Sequence, residues 1–433
     1  MISGMAGAAA SVSEAIPISG RAGAPRRIVI HDYAGYPFAV QLSRWLACQG
    51  HTVLYLYSED IEAPRGRLGL QPGDPPTLAV EGVSTGRPLA KYRLVRRWFQ
   101  ELKYGAALGR RVEGFQPDIV LSANTPPAVQ SQLFAATRRA GIPLLCWVQD
   151  IFSLGVAEIL KTKPALFRWA AERFVETVEF GTMRRSAGVV VISEDFLPIL
   201  GLKGVHHRRS TVIENWAPLD DITPQPKDNP WTRAHGVADK FVFLCAGTVG
   251  LKHNPAHLAN LARAFAADLE VRVVVVSQGP GRLYLERVKA SEGLDNLILL
   301  DYQPFDRLSQ VLSAADVAVL LLENFASELS VPSKVYSYMC VGRPIVGAIP
   351  ATNLACRIVE RERAGLTVAP GDEAGFVAAA RRLRADPALC RALVDRQRAY
   401  ALASFNIDRV GGLFSGAIEE VIGDAVANRS KGR

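Results

Sequence analysis

The stretch RIVIHDYAGYPFAVQLSRWLACQGHTVLYLY, residues 27–57, decides the fold. It opens on a β-branched run, passes through the Gly- and Pro-containing loop DYAGYPF, reads as a helix from Ala39 to Gly50, and ends in the apolar strand HTVLYLY. Two strands joined by one helix of that length pair in parallel through a right-handed crossover. Outward from there the alternation continues: PDIVLSA, a helix over 128–140, PLLCWVQD, a long helix over 167–187, then GVVVIS. Near-continuous apolar strands belong to a parallel sheet covered on both faces.

The alternation stops at NWAPLDDITPQPKDNP, residues 215–230, whose four prolines mark a linker. It restarts with KFVFLCAG, a helix over 255–267, VRVVVVSQG, NLILLD, a helix over 308–315, VAVLLL, a helix over 334–341 and RPIVGA. The fold class is α/β, with two doubly wound Rossmann-like domains facing across a cleft, and the length of 433 residues suits it. We read residues 1–26, rich in Ala, Gly and Ser, as a disordered leader, 27–216 as the first domain and 217–230 as the linker. Residues 231–400 form the second domain, and 401–433 a helical tail that could cross back to the first. Ligands of such sheets bind outside the carboxyl ends of the strands.

Composition narrows the function. With 49% hydrophobic and 21% charged residues the chain is a folded protein. The net charge is +8, and residues 87–111 hold eight bases against one acid, Glu101, a net +7 in that window. A single basic surface, not general nucleic-acid coating, follows. The six cysteines form no C-x-x-C pair and the seven histidines no ligand set, so no zinc site is legible. No secretory signal and no run of 18 apolar residues is present, so a reducing cytoplasm and no membrane span are expected.

Four stretches could carry chemistry. In AGTVGLKHNP, residues 246–255, Gly247 and Gly250 make a tight loop after a strand, and Lys252 precedes a helix. Backbone amides, a point charge and a helix dipole form a diphosphate cradle; a plain strand–turn–helix with a solvated lysine is the alternative. In VPSKVYSYMCVGRPIV, residues 331–346, Pro332, Ser333 and Lys334 open a second helix whose free amides face the same cleft. In VVVVSQGPGRLYLE, Gly279 and Gly281 suggest a dinucleotide fingerprint, but Tyr284 occupies its third glycine position. In the basic window, Tyr92, Val95, Phe99, Leu102 and Ala106 recur at helical spacing beside Trp98. Edged by Arg93, Arg96 and Arg97, that stripe suits an anionic membrane, or simply packs on the sheet. Asp150, ending VQD at a strand terminus, either faces the ligand edge or caps the next turn.

In combination these residues resemble the retaining GT-B glycosyltransferases of family 4, in particular the colanic-acid-type branch that assembles bacterial exopolysaccharide and O-antigen. The resemblance covers roughly residues 27–405 and rests on GLK at 250–252, residues 331–346, VQD ending at Asp150, and ENWAP at 214–218. It implies that Gly35 and Tyr36 meet the acceptor, and that Lys252 with the amides near Pro332, Ser333 and Lys334 holds the donor diphosphate. It also implies that Gln278, Gly279 and Tyr302 lie near the base, and that Asp150 touches the transferred sugar. The family's two glutamates, eight residues apart, fall on Leu329 and Ser337; Glu328 is one position off. No arginine precedes Lys252, where Thr248 and Val249 stand.

The expected activity is hexosyl transfer from a UDP- or GDP-sugar to a polyprenyl-diphosphate-linked saccharide at the inner face of the cell membrane, with no cofactor or metal and no nucleic-acid partner. A nucleotide-sugar epimerase and a non-catalytic nucleotide-sugar-binding protein are the other readings.

Overall fold

A computed structural model describes residues 24–63, 65–90, 93–250 and 252–431. Most of the expected leader, Lys91 and Tyr92 of the basic window, and Leu251 of GLK lie outside the described residues. The first sheet comprises β1 (Arg27–Asp32), β2 (Thr52–Ser58), β3 (Leu78–Val83), β4 (Ile119–Ala123), β5 (Leu144–Val148), β6 (Gly188–Val191) and β7 (Ser210–Val212). The second comprises β8 (Phe241–Ala246), β9 (Val271–Val276), β10 (Leu297–Leu300), β11 (Val317–Leu321), β12 (Ile345–Ala348) and β13 (Gly365–Val368).

The orders are β3-β2-β1-β4-β5-β6-β7 and β10-β9-β8-β11-β12-β13, and the strands pair in parallel. Each sheet therefore reverses direction beside its first strand, between β1 and β4 and between β8 and β11, which opens a crevice at the carboxyl ends. Ile28, Val29 and Ile30 of β1 and Val242, Phe243 and Leu244 of β8 are fully buried, as strands covered on both faces must be.

The 217–230 segment is not loose. Thr223 and Gln225 donate their amides to Ser309 Oγ and Ser313 Oγ of the helix Leu308–Ser313, at 3.1 and 3.0 Å. Just before it, Trp216 stacks on Trp147 at the end of β5, with ring centroids 5.7 Å apart, and its Nε1 donates to Gln41 Oε1 at 2.7 Å. The C-terminal helix Ile407–Lys431 returns to the first sheet. Phe414 fills the space against Trp147 and Trp216, Asp408 accepts from Trp45 Nε1 at 2.8 Å, and Glu419 pairs with Arg26.

In the basic window the alternative that the stripe packs on the sheet does not hold at Val95 and Phe99. Its helix runs Leu94–Phe115 and buries Glu101, Tyr104, Gly105, Leu108, Gly109 and Val112, while Val95 and Phe99 are exposed. The buried face is rotated because Gly105 and Gly109 allow the helix Pro127–Ala140 to approach closely; a Cβ at either would meet Gln132 or Ala136 at 2.8 Å. Arg97 is drawn onto Glu101 at 2.7 Å and Arg111 onto Glu81, so part of the basic charge is spent within the fold.

Phe414 is wholly buried between two tryptophans, so Phe414→Ala is expected to destabilise by about 3–5 kcal/mol, measured by urea unfolding. His31, buried on β1 between Thr125 Oγ1 (3.0 Å) and Tyr104 OH (3.2 Å), is pushed down to about 3 by desolvation. The unfolded chain therefore takes up a proton below pH ~6.5 that the native chain refuses. The stability advantage over His31→Gln is expected to shrink by about 1.4 kcal/mol per pH unit from 6.5 downward; a pH-independent difference would count against it.

Candidate active site

Strand β8 delivers its loop into the cleft, and four neighbouring elements fix it. Tyr338 OH, on the helix Lys334–Val341, accepts the Ala246 amide at 3.1 Å and donates to Val319 O at 3.3 Å. Gly247 then takes φ +107°, which a side chain would resist, and the Lys334 methylenes lie across it. Lys334 Nζ donates to Thr248 O at 2.9 Å, Thr248 Oγ1 pairs with Tyr302 OH at 2.7 Å beyond β10, and the Val249 amide donates to Ser277 Oγ at 2.9 Å beyond β9. Glu323, just past β11, donates its amide to Lys252 O at 2.8 Å.

Gly281 explains the GxG stretch without a dinucleotide. A Cβ there would run into the Val249 carbonyl, so this glycine seats the helix Pro280–Glu292 on the loop. Gln278 and Gly279 lie at the start of that helix, on the same edge as Tyr302.

Lys252 reaches across the cleft. Its Nζ lies 2.7 Å from Asp150 Oδ1, and both side chains are about a third exposed. The backbones also meet there: Asp150 bridges Ser330 in antiparallel fashion, and the Ile151 amide donates to Leu329 O at 3.0 Å. Asp150 is aimed by Glu179, a buried carboxylate on the helix Ala165–Arg185, which accepts the Phe152 and Ser153 amides at 2.8 Å each. Burial pushes Glu179 up to about 7, with Asp150 adding to the rise.

Gly35 and Tyr36 form the facing edge after β1. Asp32 accepts the amides of Tyr36 and Ala34 and the hydroxyl of Tyr55, which clamps the turn. The Tyr36 phenol is raised first by burial and then by Asp32, Asp150 and Tyr302, so both domains act on it electrically. Along the same edge a cavity of about 480 Å³ opens past β2 and β3, lined by Glu59, Asp60, Glu62, Arg65 and Arg87 among others.

The structure thus brings together Lys252, Asp150, Tyr36, Gly247, Gly250, Tyr302 and Lys334. Pro332 is buried at the entry to the helix Lys334–Val341, and the amides of Ser333 and Lys334 find no acceptor among the described residues. Ser337, on the same helix, is half-buried. Glu328 is exposed and has no hydrogen bond or ion pair among the described residues, while Leu329 beside it is buried. Lys334 differs in role from a free phosphate ligand, because its ammonium is already engaged by the loop carbonyl. Glu179, Glu323 and Tyr338 escaped the sequence reading; an acid or phenol inside a helix was the only signal for Glu179 and Tyr338, and Glu323, just past β11, acts through its backbone amide, which leaves none. The electropositive character of the loop is visible in His253, held well below its ordinary value by burial, Lys334 and Lys252; its Nδ1 faces the Gly250 amide at 3.2 Å. No group of three or more metal-ligating side chains occurs among the described residues.

Both halves match family models. Residues 4–216 match a glycosyl transferase 4-like domain, and residues 240–386 match the glycosyl transferases group 1. The chain belongs to the glycosyltransferases. A probable glycosyltransferase, WbjE of Pseudomonas aeruginosa, is 28% identical over 63% of this chain and 67% of its own length. A 2-deoxystreptamine glucosyltransferase of Streptomyces kanamyceticus is 26% identical over 58% of this chain and 64% of its own. The fold of this glycosyltransferase is that of Anabaena Alr3699/HepE, whose crystal structure is in complex with UDP-glucose (TM-score 0.67, 15% identity, 91% of this chain and 100% of that one).

The cross-cleft pair is too exposed to hold the fold together. Lys252→Ala and Asp150→Ala are each expected to change stability by about 0–1 kcal/mol. Gly281→Ala, which displaces the loop, is expected to cost about 1–3 kcal/mol. Thermal unfolding of the three variants distinguishes a pair kept for function from one kept for stability.

Proposed function

We propose that the protein moves a hexose, with retention, from a UDP- or GDP-sugar to a saccharide carried on a polyprenyl diphosphate, in bacterial surface polysaccharide assembly at the inner face of the cell membrane. The observation that carries this reading is the Lys252–Asp150 pair at 2.7 Å, a cation from the glycine loop and a carboxylate from the opposite sheet meeting in the cleft. The likeness to a fold crystallised with UDP-glucose supports the donor class.

In this mechanism the arriving diphosphate takes Lys252 from Asp150, and the freed carboxylate turns to the hydroxyls of the donor sugar. The bond from the anomeric carbon to the β-phosphate oxygen then lengthens, and its electron pair goes to the diphosphate. Lys252 and the unpaired amides of Ser333 and Lys334 stabilise that charge as it grows. The acceptor hydroxyl enters on the same face and its proton passes to the departing phosphate oxygen. Tyr36 and the cavity beyond β2 and β3, lined by both acids and arginines, offer the acceptor a polar berth, and closure excludes water.

A thermal-shift screen against UDP, GDP, ADP, CMP and NAD tests the donor class, since ligands of the native state raise apparent stability. UDP or GDP alone is expected to shift the transition; a shift with NAD alone overturns the reading. Lys252→Ala is expected to lower turnover by roughly 10²–10³, and wild-type turnover in that variant would remove Lys252 from the mechanism. The presence of Leu329 and Ser337 at the two glutamate positions favours a non-catalytic binder as the second reading; donor turnover by the purified protein excludes it.

A further inference from the structure

Half of the sixteen strongly exposed large apolar side chains among the described residues fall in two short segments, 94–99 and 159–174. The remainder are scattered singly, as on any protein surface. On the helix Ala165–Arg185, Leu166, Phe167, Trp169 and Phe174 are between 53% and 77% exposed; on the helix Leu94–Phe115, so are Val95 and Phe99. The two segments are one surface. Trp98 and Phe174 touch with ring centroids 5.1 Å apart, so Trp98 is the joint between the helix tips. A contiguous apolar face of this kind needs a partner.

Charge identifies the partner. The acids of the second segment are paired: Glu158 with Lys161, Glu172 with Arg168, Glu176 with Arg173 and Lys203. Arg93, Arg96 and Lys163 are exposed and have no ion-pair partner among the described residues. A second copy of this chain meeting the patch symmetrically would set these cations against themselves. An anionic bilayer accepts both the aromatic side chains and the cations. We propose that the tips of the helices Leu94–Phe115 and Ala165–Arg185 together form a docking face for anionic lipid. The face adjoins the cleft, because the helix Phe152–Ile159, which starts two residues after Asp150, packs on the helix Ala165–Arg185. This inference deepens the lipid-linked acceptor reading.

The test is flotation of the full chain with phosphatidylcholine vesicles, with and without phosphatidylglycerol. Wild type is expected to float with the anionic vesicles, less so as salt rises. Phe167→Ser with Trp169→Ser is expected to lower partitioning by at least about tenfold at any salt. Arg93→Glu with Arg96→Glu is expected to lower it by about tenfold at low salt only. Val95→Ser with Phe99→Ser is the second apolar pair, should the first fail to fold. No flotation of wild type, or equal flotation of the folded variants, overturns the proposal; so does a concentration-dependent dimer that the apolar variants abolish. The nucleotide thermal shift is read on the same samples and is expected to be unchanged, so failure of the lipid face and failure of the donor reading are separate results.

Discussion

The cluster of Trp147, Trp216, Phe38 and Phe414 is the contact on which the rest of the molecule depends. It joins the end of β5, the segment leading to the second domain, the helix Pro37–Cys48 and the C-terminal helix at one point. Aromatic pairs combine large buried area with preferred ring geometry, so they fix orientation as well as distance. Asp150 lies only three residues beyond Trp147. The position of the cleft carboxylate is thus set by packing that also sets how the second domain leaves the first, and Glu179 completes the placement from behind.

On the opposite wall the glycine loop, packed through Val249, is held chiefly by hydrogen bonds. Tyr338, Ser277, Tyr302 and Glu323 each secure one residue of it, and Lys334 straps it from the adjacent helix. Such a loop needs little rearrangement when charge develops nearby, which is the condition for electrostatic stabilisation at a reacting centre. The pairing of Lys252 with Asp150 lets each charge satisfy the other at modest cost, because both remain partly solvated.

Much of this was legible in the sequence, for physical reasons that can be named. Central strands such as IVLSA and VRVVVV are buried almost throughout on both faces, so their apolar runs are nearly continuous. The edge strands β3, β7 and β13 went unseen because an edge needs no such run: β3 carries Glu81, which reaches Arg111, and β13 is half-buried throughout. The loop glycines and Lys252 stood out by spacing. The face of the helix Leu94–Phe115 did not, because Gly105 and Gly109 contribute to burial by backbone approach, which hydropathy does not register. Partnerships across the chain, such as Glu179 with the amides after Asp150, leave no local pattern at all.

The chain passes between the two sheets twice, once through Trp216 and the following linker and again where the helix Ile407–Lys431 returns to lie on the first domain. Two bodies tied at two points have one easy rotation, about the line through both ties. Any opening of the cleft would be a swing about that line, and it would have to part the Asp150–Ser330 bridge and the Ile151–Leu329 hydrogen bond first.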